Sequence, residues 1–129
     1  ERLPGHPLQE EKMIEEIIRS FLAARLDVPV RLSVPNPAPA RFVVVEKTGS
    51  GYDDGLYSAV LAVQSYGPAA TDHDGTLDAA KLNELVKAAM QDADTLPQLA
   101  RCELSTDYNF PDTTRKRPRY QAVFDVVHY

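Results

Sequence analysis

A few short stretches of this sequence hold residue types that could do chemistry. Asp72-His73-Asp74-Gly75 offers carboxylate and imidazole ligands. A calcium loop would also need a bidentate Glu about eleven residues after the first ligand. Asn83 stands there, and the residues between read as helix, so this stretch reads as a solvated loop ahead of a helix. Asp53 and Asp54 could serve as a carboxylate pair for metal binding or acid–base work. They are adjacent, have no His or third acid nearby, and sit beside glycine, which is the composition of a turn. Thr48-Gly49-Ser50-Gly51 follows an apolar run, as a phosphate loop would. It lacks the Gly-Lys-Ser/Thr ending, and no helix opens directly after it. Cys102 falls on the apolar side of an alternating segment and reads as a buried structural thiol. His128 and His6 complete no Ser/His/Asp or Cys/His arrangement. Arg115-Lys116-Arg117-Pro118-Arg119 is the one concentrated basic stretch. It reads as a solvated hairpin loop or as a docking surface for acidic protein or passing DNA. Apart from Tyr120 it has no interleaved aromatics for stacking bases, so sequence-specific recognition is not supported. No residue is expected to be catalytic, to ligate a metal or to hold a cofactor.

A length of 129 residues suits one domain, and 43% hydrophobic content is enough for a core without staples. The net charge of −5 argues against general affinity for nucleic acid or anionic membranes. A single cysteine permits no intrachain disulfide. No apolar run approaches the ~20 residues that span a bilayer. Residues 1–12 read as a polar leader or an expression remnant without the apolar stretch of a secretory signal, and residues 13–129 as the domain.

The elements that must position these residues follow from periodicity. Ile14, Ile17, Ile18, Phe21 and Leu22 make one stripe of a helix over about 10–26, ended by Asp27 and Pro29. Val28 to Val34 is a short extended piece. Pro35, Pro37 and Pro39 then form a stiff connector. Phe42 to Lys47 is β-branched and apolar, a strand buried on both faces, and the glycine-rich stretch 48–55 reads as a flexible loop. Leu56 to Tyr66 is a long strand, and 67–75 a polar loop. Thr76 is placed to cap a helix carrying Leu82, Leu85, Val86, Ala89, Met90 and Ala93 on one stripe. Leu99 to Tyr108 alternates, with Cys102, Leu104, Thr106 and Tyr108 on one side and Arg101, Glu103, Ser105 and Asp107 on the other. After the loop 109–118, Arg119 to Tyr129 is the last strand. This order predicts an α+β fold: a mostly antiparallel sheet of four to five strands with two helices packed on one face.

The pattern as a whole resembles the tail terminator (tail completion) proteins of long-tailed bacteriophages and prophages. The resemblance covers about Met13 to Tyr129. It rests on the opening amphipathic helix, the proline-spaced segment, RFVVVEKTGSG from Arg41, LYSAVLAVQSYG from Leu56, the helix LDAAKLNELVKAAM and the closing strand RYQAVFDVVHY. VVVEKTG is the most specific piece. Family members often carry tryptophan near the position of Tyr66, and this chain has none. The resemblance implies a ring, usually a hexamer, on the end of the tail tube. Such a ring stops tube polymerisation, meets the head-side connector, and belongs to the virion tail after assembly in the bacterial cytoplasm. The implied partners are further copies of the chain, the tail tube protein and the connector, with incidental contact to passing DNA and none to a membrane. The candidate interaction loops hold Thr48, Gly49, Tyr52, Asp53, Asp54, Arg115, Lys116 and Arg117. A neck or head-closure protein of the same machinery is the nearest alternative. An alternative of another class is a small metal-dependent enzyme or ligand-binding domain built on Asp53, Asp54, Asp72 and His73.

Overall fold

The computed structural model describes residues 13–69 and 72–129; the expected leader, 1–12, lies outside the described residues. Helix α1, Ile14–Arg25, buries Ile14, Ile18 and Leu22, the i, i+4, i+8 positions of its apolar stripe. Strand β1 is only Val30–Arg31, shorter than the expected extended stretch. Past it the prolines of the connector have no N–H to give to a ladder. Strand β2 runs Phe42–Asp53 and β3 runs Leu56–Tyr66. Helix α2 is His73–Met90, followed by a 3-10 turn at Ala93–Thr95, β4 at Leu99–Asn109 and β5 at Arg119–His128.

The α+β expectation holds. The five strands are ordered β1-β2-β3-β5-β4; β1 and β2 pair in parallel and the other neighbours are antiparallel. Both helices pack on one face, where Ile18, Leu22, Leu82 and Val86 join Val43, Val45, Leu61, Val63, Phe124 and Val126 in the main core. The opposite face has a smaller cluster of Phe42, Val44 and Tyr66, with Val34 of the proline connector packed on it. Phe42 through Val45 are all buried, because even- and odd-numbered positions of β2 each have a cover.

Three expectations need correction. The stretch 48–55 is not a flexible loop. Gly49, Gly51, Tyr52 and Asp53 pair with Val60, Ser58, Tyr57 and Leu56, and only Asp54 and Gly55 form the turn, with φ of 51° and 85°. Two consecutive residues at positive φ make the tight hairpin turn whose twist matches its strands, and Asp-Gly is a preferred sequence for it. The glycines before it serve strand geometry: Gly49 follows a bulge after Lys47, and a Cβ on Gly51 would stand 2.9 Å from Ser58 Oγ. Second, α2 starts three residues before Thr76. Asp72 is its cap, accepting the Gly75 N–H at 2.9 Å. Third, the alternation of β4 is broken by register shifts between Leu99 and Arg101 and between Leu104 and Thr106. The second shift turns Asp107 toward α2, where it bonds Asn83 and Lys87, and puts Tyr108 on the opposite face, where its hydroxyl meets Gln121.

Candidate functional site

The antiparallel hairpin sets the two ends of the sheet apart. One end carries the first residue of β2, the last of β3 and the first of β5, with the proline connector and the loop 110–118 beside them. The other carries the Asp54-Gly55 turn. We refer to them as the connector end and the tip.

At the connector end the rings of Phe42 and Tyr66 stack, with centroids 4.4 Å apart and planes at 13°. Guanidinium groups flank the pair: Arg117 lies 5.3 Å from the Phe42 ring, and Arg119 lies 5.6 Å from Tyr66 and 4.3 Å from Phe110. Arg117 is buried and spent internally. Its Nε donates to Gly67 O at 3.0 Å, and its Nη2 donates to Gly67 O, Pro39 O and Ala40 O at 2.7, 2.9 and 2.8 Å. One side chain thus closes the connector, the end of β3 and the start of β5 onto one another. Arg117 therefore leaves the set of candidate contact residues. Arg115 and Lys116 remain at the surface, and Arg115 donates to Asp112 through both its backbone N–H and its guanidinium.

Asp112 is the hub that the sequence did not announce. It is buried, accepts the Tyr66 hydroxyl at 3.0 Å and lies 3.8 Å from Arg119. Burial pushes its carboxyl up. The Arg115 N–H, the Arg115 guanidinium, the Tyr66 hydroxyl and the Arg119 charge outweigh that and hold it below its ordinary value. Burial is also the chief cause that raises the Tyr66 phenol; hydrogen bonding and charge from Arg119 oppose it, and Asp112 adds to it. The only sequence signal for this network was Asp112 beside Pro111 in a turn-rich stretch.

The connector end also holds an open cleft of about 480 Å³. Val34, Pro35 and Ala38 line it with Phe42, and Arg115 and Arg117 supply its basic side. The prolines marked the connector in the sequence, but nothing local marked it as a wall.

The tip presents a different surface. Tyr52 is 64% exposed and Tyr57 47%. Their rings lie 4.7 Å apart, and Tyr57 stacks on His128 at 5.5 Å. Asp53 and Asp54 are exposed and have no basic partner among the described residues. Between the two ends a polar ribbon crosses the face away from the helices. Gln64 donates to Gln121 Oε1 at 2.8 Å and more weakly to Glu46 at 3.4 Å, and Gln121 donates to the Tyr108 hydroxyl at 2.6 Å.

The other candidates are not brought together. Asp72 and His73 open α2 at the connector end, whose first turn abuts Gly67. Asp53 and Asp54 lie at the tip, a β3 length away, or roughly 30 Å at strand rise. Among the described residues no group of three or more His, Cys, Asp and Glu is placed to hold a metal ion. Thr48 and Gly49 lie within β2, Thr48 donating to Val60 O at 3.4 Å. Cys102 is half-buried, and burial first, then the charges of Asp94 and Glu103, push its thiol up to about 11, far from the thiolate that a nucleophile needs. No described helix is long and apolar enough to cross a membrane. In comparison with known proteins, the chain matches no family model and no curated protein sequence.

Proposed function

We propose that this chain is a structural phage protein of the tail-terminator kind. It forms a homo-oligomeric ring, six copies by the family resemblance, on the end of the tail tube. The ring ends tube polymerisation and offers its other side to the head–tail connector. Its work is contact without turnover, performed in the virion tail after assembly in the bacterial cytoplasm.

The observation that supports this reading best is the placement of exposed large apolar side chains. Among the described residues, six of the eleven lie in two unlike places: Tyr52, Leu56 and Tyr57 at the tip, and Leu104, Tyr108 and Phe110 along β4 and just past its end, Leu104 on the helix face and the Tyr108–Phe110 ring pair on the other. Exposed aromatic groups gathered into patches mark interaction surfaces. A ring subunit needs unlike patches, because its contacts are heterologous, and further surface for the tube and the connector. The tip and β4 satisfy that requirement on one small domain. The negative net charge suits a protein that lets DNA pass without holding it.

Negative-stain microscopy and light-scattering mass test the proposal, each with and without purified tail tubes. A six-fold ring, in solution or on tube ends only, is the expected result. A chain that stays monomeric and leaves the tube ends bare overturns it.

A further inference from the structure

The tip and the cleft are opposite in charge, and both carry apolar side chains. The tip is an exposed two-residue hairpin turn, acidic at Asp53 and Asp54, and apolar at Tyr52 and Leu56. The cleft is concave and walled by Val34, Pro35 and Ala38. Arg115, half-exposed and also bonded to Asp112, lines it, and Lys116, the next residue, is exposed with no acidic partner among the described residues. A volume near 480 Å³ falls within the roughly 300–1,000 Å³ of pockets that bury small ligands.

The tip cannot reach its own cleft. Asp53 ends β2 and Phe42 begins it, so the strand itself holds them roughly 35 Å apart at the rise of an extended chain. The occupant must come from another molecule, and a second copy of this chain carries the complementary piece. Sheet-edge pairing is the less suitable route. β2 is bulged between Lys47 and Gly49, β4 is bulged twice, and bulges blunt an edge against strand addition. The tip is also preorganised. The Asp54-Gly55 turn fixes its backbone, and the Tyr52–Tyr57–His128 ring contacts hold its side chains. Docking it therefore costs little ordering entropy.

We propose that the hairpin tip of one copy seats in the proline-walled cleft of the next, Asp53 and Asp54 facing Arg115 and Lys116. This rests on the ring reading and names its subunit contact. Because the two surfaces differ, the contact repeats head to tail and closes a ring when the rotation between copies allows.

Charge reversal in two separate chains tests it. Asp53→Lys leaves the cleft basic and turns the tip's two acids into one base beside Asp54, setting a lysine against Lys116 of the next copy. Lys116→Asp leaves the tip acidic and the cleft with Arg115 beside an acid, setting an aspartate against Asp53 of the next copy, and Asp tolerates the positive φ of 56° found at Lys116. Both sites are exposed, and thermal melts equal to the parent chain's verify the fold. Each variant alone should associate at least roughly tenfold more weakly, because at every contact the pair formed by positions 53 and 116 turns from opposite to like charge. An equimolar mixture should regain the parent assembly, since alternating copies restore opposite charges at both contacts. Either variant assembling alone as the parent does, or a mixture as weak as its components, overturns the proposal. If the parent forms rings and so do both variants, this contact is wrong while the ring reading stands. If the parent neither oligomerises nor caps tubes, both fall.

Discussion

Asp112 sits where three donor groups and a neighbouring guanidinium meet, and its side chain is 5% exposed. Its carboxyl is held below its ordinary value in the folded chain, so its contribution is present at neutral pH, where both folded and unfolded forms are ionised. The contribution is lost as pH falls through the ordinary carboxylate range toward the lower folded value, because the unfolded chain takes up the proton first. Asp112→Asn should therefore cost about 1–3 kcal/mol at pH 7, since it leaves charged donors with a neutral partner. It should also flatten the acid limb of stability. Urea midpoints of parent and variant between neutral and strongly acid pH give the comparison, and parallel curves would exclude the role. Cys102 offers a second residue-scale check. With its thiol pushed up to about 11, alkylation at pH 8 should run about a hundredfold slower than at an exposed cysteine, and denaturant should remove the difference.

At the scale of the element, the sequence was most legible where periodicity and burial agree. The stripe Ile14, Ile18, Leu22 and the strand Leu56–Tyr66 follow from spacing alone, since each side chain faces the same packing partner as its periodic neighbours. It was least legible where a residue type supports two structures. Thr48-Gly49-Ser50-Gly51 has loop composition, yet pairing with β3 makes it strand, and Asp54-Gly55 is the turn. The start of α2 was misplaced for a similar reason: Asp72 and Thr76 both have capping oxygens, and only the bond to the Gly75 N–H decides between them. Asp72→Ala should destabilise the domain by about 1 kcal/mol and Asp72→Asn by far less, read from thermal or urea unfolding. Equal losses would mean that the cap contributes nothing. The bulge between Leu104 and Thr106 was invisible in the sequence, because the alternation from Cys102 to Tyr108 is unbroken in residue type.

For the whole molecule, Arg117 is the joint. Its hydrogen bonds reach Gly67, Pro39 and Ala40, 50, 78 and 77 positions away, and gather three segments at one end of the sheet. A lysine at this position is a point charge that cannot address three carbonyls with a planar fork. Arg117→Lys should lower stability by about 1–3 kcal/mol with the secondary structure intact, measured by urea unfolding and circular dichroism. Gly67 belongs to the same joint: a Cβ there would lie 2.5 Å from Gly75 O and 3.2 Å from Ala79 N. The sequence by itself determined the two helices, the principal strands and their order, and hence an α+β fold with a helical face, because each depends on local spacing of apolar residues. It also yielded the residues of both candidate contact stretches. Only the tertiary structure decided which of them are exposed. It buried Arg117 among distant carbonyls and left Arg115 and Lys116 at the surface. It turned a supposed loop into a rigid acidic tip and formed the cleft from a connector and a turn far apart in the chain. Such properties arise between segments, and local spacing carries no record of which distant segments meet.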